Sequence, residues 1–349
     1  MGDAVELRAG LATAVGPVPF DDAVAASRFV LATQPELPTV PSAGTGPASL
    51  LAQAVDGLAG VSVGPGGLLA VDHDVFDSAA IAAAIRSGEV PVGHRCPVLG
   101  RFLRMAREHA AGVAGFTGVR APLLGPVTLA LALRGAGVPL EDAALLAREL
   151  VPRRATALLG GLREVLVDEV AVVCLNEPGL VGAMHPTFPM APSEVLDLLD
   201  PVVRALDQHP DAGRLLIGVH VPGRTDWPTI LASGASLVST PADANVVGWV
   251  AELADFLERG GRVAWGAVPV DQPLGTSEER LWRRLSGAWC ELVAEGVDPL
   301  LLRRASLVSP VDGLGHFGPT QAELALRHVH SLSVRVGRQA LAARLSLGA

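Results

Sequence analysis

Short apolar runs and longer stretches of helical periodicity alternate along this chain, most regularly in its second half. Residues 169–175, Glu-Val-Ala-Val-Val-Cys-Leu, form an apolar run of strand length that stops at Asn176-Glu177-Pro178. Residues 192–206 carry a helical period, and a second apolar run from Leu215 ends near His220, followed by Pro222 and Gly223. The pattern then predicts helix over 226–233, strand over 236–239, helix over 245–259 and strand over 262–268. Helix over 278–295, strand over 305–309 and a closing helix from 320 to about 345 complete it. Strands alternating with helices imply parallel βαβ units.

The first half is less regular. Residues 11–16 predict a short strand that Pro17-Val18-Pro19 breaks, and Asp21 or Asp22 caps a helix over 23–31. Residues 34–47 read as a Pro-rich loop. A turn at 64–67 leads to a strand over 68–71 and to Asp72-His73-Asp74, placed at a hairpin tip. Helices are predicted over 78–86 and 98–111. Residues 118–124 form a strand ending at Gly125-Pro126, with a helix continuing through Leu133. Residues 140–167 have long helical periodicity, in one piece or in two around Pro152. No repeat, low-complexity tract or linker interrupts the chain. The expected architecture is a single α/β domain over residues 1–349, a (β/α)8 TIM-type barrel with an N-terminal extension and the Pro-rich loop at 34–47. A doubly wound open sheet is the alternative.

Half of the residues are hydrophobic and the mean hydropathy is +0.40, which raises the question of a membrane. The longest strongly apolar stretch, 121–133, contains Pro122, Gly125 and Pro126 and is closed by Arg134. It is shorter than the ~20 residues that span a bilayer. Residues 1–10 carry no basic-then-apolar leader, so a cytoplasmic protein without a membrane partner is expected. The net charge is -9, with neither Lys nor Tyr, so Arg supplies every formal cation other than His. Scattered Arg on an acidic chain with few aromatics makes a poor nucleic-acid binder. Cys96, Cys174 and Cys290 have no metal-ligand spacing, and their odd number argues against a disulfide framework.

Several strand ends, in order, resemble the catalytic barrel of cobalamin-independent methionine synthase, which shares a superfamily with uroporphyrinogen decarboxylase. Thr13-Ala14-Val15-Gly16-Pro17-Val18-Pro19 resembles that family's opening T-x-x-G-S-x-P, and Pro35-Glu36-Leu37-Pro38 the segment after its first helix. Leu124-Gly125-Pro126-Val127-Thr128-Leu129 matches its G-P-x-T-L, and Leu175-Asn176-Glu177-Pro178 resembles its D-E-P. Gly218 to Gly223 resembles its H-x-C zinc segment, and Ser309-Pro310-Val311-Asp312-Gly313-Leu314 its P-x-C-G-L. Each motif is weak alone; the ordered set is specific for the fold.

In that family the His and Cys of H-x-C, a later acidic residue and the Cys of P-x-C-G hold a zinc ion that binds the acceptor thiol as thiolate. Here His220 remains, Pro222 takes the first Cys place and Asp312 the second. Asp243, in Thr240-Pro241-Ala242-Asp243, stands near the place of the acidic ligand. Pro17 replaces the family's Ser after the first strand. Asn176 replaces the Asp that would pair with the amino group of homocysteine, while Glu177 is retained.

The resemblance therefore implies catalytic roles for His220, Glu177 and Asp312 and substrate contacts from Asn176, Gly16 and Thr128. His220, Asp312 and Asp243 would hold zinc or another divalent ion, through nitrogen and oxygen, if they converge. The expected function is a divergent methionine-synthase-like barrel that transfers a methyl or other one-carbon group to a small-molecule acceptor without the usual zinc-thiolate site. A metal-free decarboxylase-like or lyase-like enzyme and a non-catalytic ligand-binding barrel are the alternatives. The decarboxylase branch uses a Tyr, and this chain has none.

Each candidate has a structural counterpart. Glu177 would equally cap the following turn or pair with an Arg, and His220 would be a polar residue left at a strand end. Asp72-His73-Asp74 reads as solvated, and His94-Arg95-Cys96 as a chance H-x-C string. Asp312 and His316 share a Gly-rich loop that would face a barrel's mouth and that lacks a dinucleotide-binding pattern. Arg120 and Arg224 read as surface charges before anion ligands.

Overall fold

The computed structural model describes residues 7–46, 48–64, 66–89, 96, 98–243, 246–271, 274 and 277–346. In the first half, β1 (Val61–Val63) and β2 (Leu69–Val71) pair antiparallel as a separate hairpin. Then β3 (Gly118–Leu124), β4 (Val170–Asn176), β5 (Leu215–His220), β6 (Leu237–Pro241), β7 (Arg262–Val268) and β8 (Ser306–Pro310) form one parallel six-stranded sheet, neighbours following chain order. That monotonic order has no point at which the sheet reverses direction, so the doubly wound alternative does not hold.

Six regular strands stand where eight were expected, and two further segments line the sheet's edges through isolated pairings. Gly10 and Thr13 donate backbone N–H bonds to Ser306 and Val308, and Val308 donates to Leu11, so the segment expected as the first strand runs beside β8. On the opposite edge Arg120 donates to Pro38, and Val40 to Arg120. The two segments meet where Val18 donates to the Ser42 carbonyl at 3.1 Å. Neither becomes a regular strand: Pro17 and Pro19 end the first segment, and Pro35, Pro38 and Pro41 have no N–H to give a ladder along the second.

Alternation within each strand sorts side chains onto two faces. Ile217, Val219, Val238, Val263, Trp265 and Val308 pack into the main core with the helices. Their neighbours Leu216, Leu237, Ala264 and Leu307 join Leu11, Leu37, Val170 and Val172 in a second cluster on the other face, towards the start of the strands. Two residues further along, that inner face becomes small or polar: Thr13, Cys174, Gly218, Ser239, Gly266 and Ser309. The apolar layer closes the floor, and the chemistry begins above it.

Most helices fall where periodicity places them. The stretch from 140 is one helix, Leu140–Arg163, with Pro152 inside it. Leu146, Leu150, Leu158 and Leu162 are fully or nearly buried, and packing of that face outweighs the backbone bond that proline cannot make. The 245–259 expectation is a 3-10 turn, Val246–Trp249, followed by α-helix Val250–Glu258, and Asn245 lies outside the described residues. Short helices Leu50–Val55 and Pro299–Arg304 carry too few turns to show a period. The hairpin turns where Gly64 donates to Leu68 and Gly67 to Gly64; Asp72, His73 and Asp74 form an exposed turn beyond β2. His94 and Arg95 lie outside the described residues, and Cys96 is half-buried, its thiol pushed up by burial.

Candidate functional site

Parallel strands present their carboxyl ends on one edge, where Leu124, Asn176 and His220 are paired neighbours. Three local arrangements are built there. The first belongs to the helix that follows β3, Pro126–Gly135, whose cap position is Gly125 and therefore has no side chain to satisfy its free N–H groups. Glu177 supplies the missing acceptor from the end of β4. Its Oε1 accepts from Val127 N–H at 3.0 Å, and its Oε2 from both the N–H and the hydroxyl of Thr128 at 2.6 Å. The Thr128 hydroxyl in turn accepts Gly179 N–H at 3.0 Å. A Cβ on residue 125 would lie 2.2 Å from the Glu177 carboxyl carbon, so glycine is required for the two loops to interlock. Burial pushes the Glu177 carboxyl up to about 7, against the pull of Thr128 and Val127, which favour the anion. Glu177 and Thr128, expected to act on substrate, thus spend these contacts on one another.

The second arrangement centres on His220, 1% exposed. Nδ1 lies 2.9 Å from Ser239 Oγ on the next strand. Nε2 points towards Asp312 Oδ1 at 3.7 Å, beyond hydrogen-bonding distance, and has no other partner. Burial lowers the His220 pKa; Asp312 raises it, the Arg120 charge lowers it further, and Ser239 raises it. The neutral imidazole is the favoured form. Asp312 is 48% exposed and accepts Gly313 N–H at 2.7 Å. Burial opposes its ionisation, but His220, the Gly313 amide and His316 outweigh that and hold its carboxyl below the ordinary value.

The third is Asn176, beside His220 in the sheet. Its amide donates to the Val15 carbonyl at 3.4 Å, and its Oδ1 is buried with no partner. Asn176, His220, Pro222 and Asp312 line a cavity of about 180 Å³ together with Leu124 and Pro178. A wider cavity of about 600 Å³ opens beyond it, bounded by Phe20, His316 and Phe317. Pro17, Ala43, Gly44 and Asp312 belong to both walls, so Asp312 stands at the junction of an inner and an outer chamber. Gly16 is buried against Ser42 and Pro122, one residue before that shared Pro17.

Arg120 corrects its reading as a surface charge. It is fully buried on the inner face of β3, its Nη2 donating to Cys174 Sγ at 3.1 Å, with Nε and Nη1 unpartnered. One signal was available in the sequence: Arg120 alternates with Pro122 and Leu124 within a strand that is otherwise wholly apolar. Ser239 and Ser309, small hydroxyls among apolar residues, carried no such signal. Arg224 is exposed, as expected.

Of the three residues expected as metal ligands, the fold brings two together. His220 and Asp312 meet, whereas Asp243 pairs with Arg284 on the helix Glu278–Ala294. Among the described residues no three His, Cys, Asp or Glu side chains converge. Cys174 is buried beside Arg120, and Cys290 is exposed on that same helix. An imidazole and one carboxylate do not fit a catalytic zinc, which usually takes three protein ligands.

A curled parallel sheet with its polar residues gathered at the carboxyl ends is the layout of barrel-type α/β enzymes. Three solved structures share it over nearly the whole chain. A B12-independent methionine synthase from Shewanella sp. W3-18-1, in complex with selenomethionine, has a TM-score of 0.62 at 14% identity, covering 96% of this chain and 99% of its own. A methyltransferase from Methanosarcina mazei gives 0.58 at 14% identity, covering 96% and 95%. A putative vitamin-B12 independent methionine synthase from Listeria monocytogenes gives 0.56 at 10% identity, covering 96% and 98%. At such identities the likeness establishes a methionine-synthase-like fold. No protein-family model and no curated protein sequence matches the chain. Among the described residues, no helix is long and apolar enough to cross a membrane.

Proposed function

We propose that this chain is an enzyme of one-carbon transfer that moves a methyl group onto a small acceptor held at the carboxyl ends of β4, β5 and β8. With this reading goes an eight-staved TIM-type barrel, in which residues 10–13 beside β8 and 38–40 beside β3 are the first two, irregular staves. The observation that carries the proposal is the pair of buried, unpartnered polar atoms, His220 Nε2 and Asn176 Oδ1, on the wall of one cavity. Such atoms are rare and costly unless something completes them.

The chemistry follows from the neutral imidazole. In the tautomer that carries its proton on Nδ1 and gives it to Ser239 Oγ, 2.9 Å away, the Nε2 lone pair faces the cavity. As the acceptor's heteroatom bonds to the incoming methyl carbon, that carbon's bond to the donor breaks and the acceptor's proton passes to Nε2. Asp312, 3.7 Å away, then stabilises the imidazolium. Asn176 holds a donor group of the acceptor, and the apolar floor excludes water from below. Because the donor set does not fit zinc, no step passes through a metal. The retention of Glu177 in a helix cap favours this reading over a lyase that needs its carboxylate.

The test is transfer of label from isotopically methyl-labelled sulfonium, methylpterin and methylcorrinoid donors to a panel of small thiols, amines and carboxylic acids. Labelled product formed by the wild type, and cut about 100-fold or more in His220→Ala, is the expected result for loss of a general base. Absence of transfer from every donor, with ligand binding intact, would sink the enzymatic reading and leave a binding barrel.

A further inference from the structure

The outer chamber is lined by acids and aromatic rings and by no strong base. Asp21 and Asp312 share its wall with Phe20, Phe317 and His316, and among the described residues lining either chamber there is neither Arg nor Lys. His316 gives its Nε2–H to the Val270 carbonyl at 2.7 Å. Arg120 lies outside both walls, at the strand level of Val172 and Leu216, nearer the strand starts than Asn176 and His220. A cleft lined by one sign of charge concentrates ions of the other.

More than charge marks this chamber. Phe20 is held against Phe29 with ring centroids 5.0 Å apart, and Phe317 against His316 at 4.4 Å. Both phenyl rings are half-buried and line the same space. The loop that carries Asp312 is fixed to the opposite wall. Leu314 donates its N–H to the Pro17 carbonyl at 2.6 Å, and a Cβ on residue 313 would lie 2.6 Å from Pro17 Cδ. At the junction of the chambers His220, 1% exposed, points its unpartnered Nε2 at Asp312, the acid that both walls share.

We infer that the outer chamber takes a methylated onium group, a sulfonium or quaternary ammonium, and that this cation is the methyl donor. The inference rests on the proposed transfer at the same site and names its second substrate. Aromatic rings beside carboxylates hold a cation that is too substituted to donate hydrogen bonds. The acceptor's heteroatom, in the inner chamber, supplies the electron pair of the new bond to the methyl carbon. The pair of the old carbon–sulfur or carbon–nitrogen bond stays with the donor, which leaves as an uncharged thioether or tertiary amine. The acceptor's proton goes to His220 Nε2. One positive charge is lost in the outer chamber as one appears on the imidazole, and Asp312 faces both. An uncharged donor would instead leave as an anion beside Asp21 and Asp312 unless protonated as it departs, and like charges repel.

The experiment begins with calorimetric titration of the full chain with choline and with its uncharged isostere, 3,3-dimethylbutan-1-ol. Choline is expected to bind at least about tenfold more tightly, the worth of one charged contact. Asp21→Asn, at an exposed position, should weaken choline about twofold or more and leave the alcohol unchanged. Phe317→Leu should weaken choline about threefold through the lost ring; if it does not fold, Asp21→Asn carries the test. Methyl-labelled trimethylsulfonium, glycine betaine, S-adenosylmethionine and 5-methyltetrahydrofolate then identify the donor. Transfer from either of the first two means a simple onium, and from S-adenosylmethionine alone a nucleoside-bearing one. Equal or undetectable binding of choline and the alcohol would overturn the inference, as would choline binding unchanged in both variants. Transfer from methyltetrahydrofolate alone would refute it and leave the proposed function standing. Choline binding weakened in the variants, without transfer from any donor, would do the reverse: the cation site would stand and the transfer reading would fail.

Discussion

The Glu177 carboxylate, at the end of β4, closes on the backbone N–H of Thr128, in the first turn after β3, at 2.6 Å. This contact ties two neighbouring βα units together at their carboxyl edge. It explains why Gly125, Thr128 and Glu177 occur together: glycine leaves room for the carboxylate, and Thr128 supplies two of its three donors.

Replacing Glu177 by Gln should therefore act on stability. One amide oxygen replaces a carboxylate that takes three donors, and the amide nitrogen faces N–H groups, a loss of about 1–3 kcal/mol. The wild type should also carry a pH signature. A carboxyl held near 7 against an ordinary 4.5 favours the folded state when protonated. Its contribution is complete below about 4.5 and is lost as pH rises to 7. Urea denaturation at steps between pH 4.5 and 8 should show this decline in the wild type and not in Glu177→Gln. An identical pH profile in both proteins would mean that Glu177 is ionised throughout.

Gly125→Ala places a methyl group on the Glu177 carboxyl carbon and should cost at least about 2 kcal/mol. The clash is specific, so Glu177→Ala in the same chain should relieve part of it. Thermal melts of both single variants and the double variant form the cycle. Strict additivity would show that the carboxylate is not what excludes the side chain.

His220 should titrate below its ordinary 6.5 by proton NMR of the ring, and Asp312→Asn should lower it further by removing the charge that favours protonation. A depressed histidine contributes stability that is present above 6.5 and lost as pH falls through the folded-state value. If Asp312→Asn left the titration unmoved, the 3.7 Å approach would carry no coupling.

Asp243 lies in an exposed pair with Arg284, so Asp243→Ala should change stability by less than about 1 kcal/mol. Elemental mass spectrometry after incubation with zinc should find the same content in the wild type and in Asp243→Ala. A loss of bound zinc in the variant would mean that Asp243 leaves Arg284 to join His220 and Asp312.

Much of the architecture was legible because strand and helix periods are local properties. The runs ending at Asn176 and His220 have no polar residue to interrupt them, and β4 and β5 form there. Residues 11–16 look equally strand-like, yet that segment makes only an isolated pairing, Ala12 with Val308, and Pro17 and Pro19 stop it from running further. Within the site, His220 and Asp312 could be named from their motifs, 92 positions apart by subtraction of their numbers. Their approach depends on β5 and β8 curving towards one interior. Asp243 was named by the same reasoning, and the fold gives it to Arg284 instead.

By itself, then, the amino-acid sequence determined the alternation of strands and helices, the strand ends at which polar groups stand, and the set of residues available for chemistry. Tertiary structure alone decided how they are used: Glu177 as a helix cap, Arg120 as a buried charge, and His220 and Asn176 as the open faces of one cavity. Periodicity records which face a residue takes along its own element. Counter-charges, caps and cavities arise between elements far apart in the chain, so they exist only once the sheet has curled.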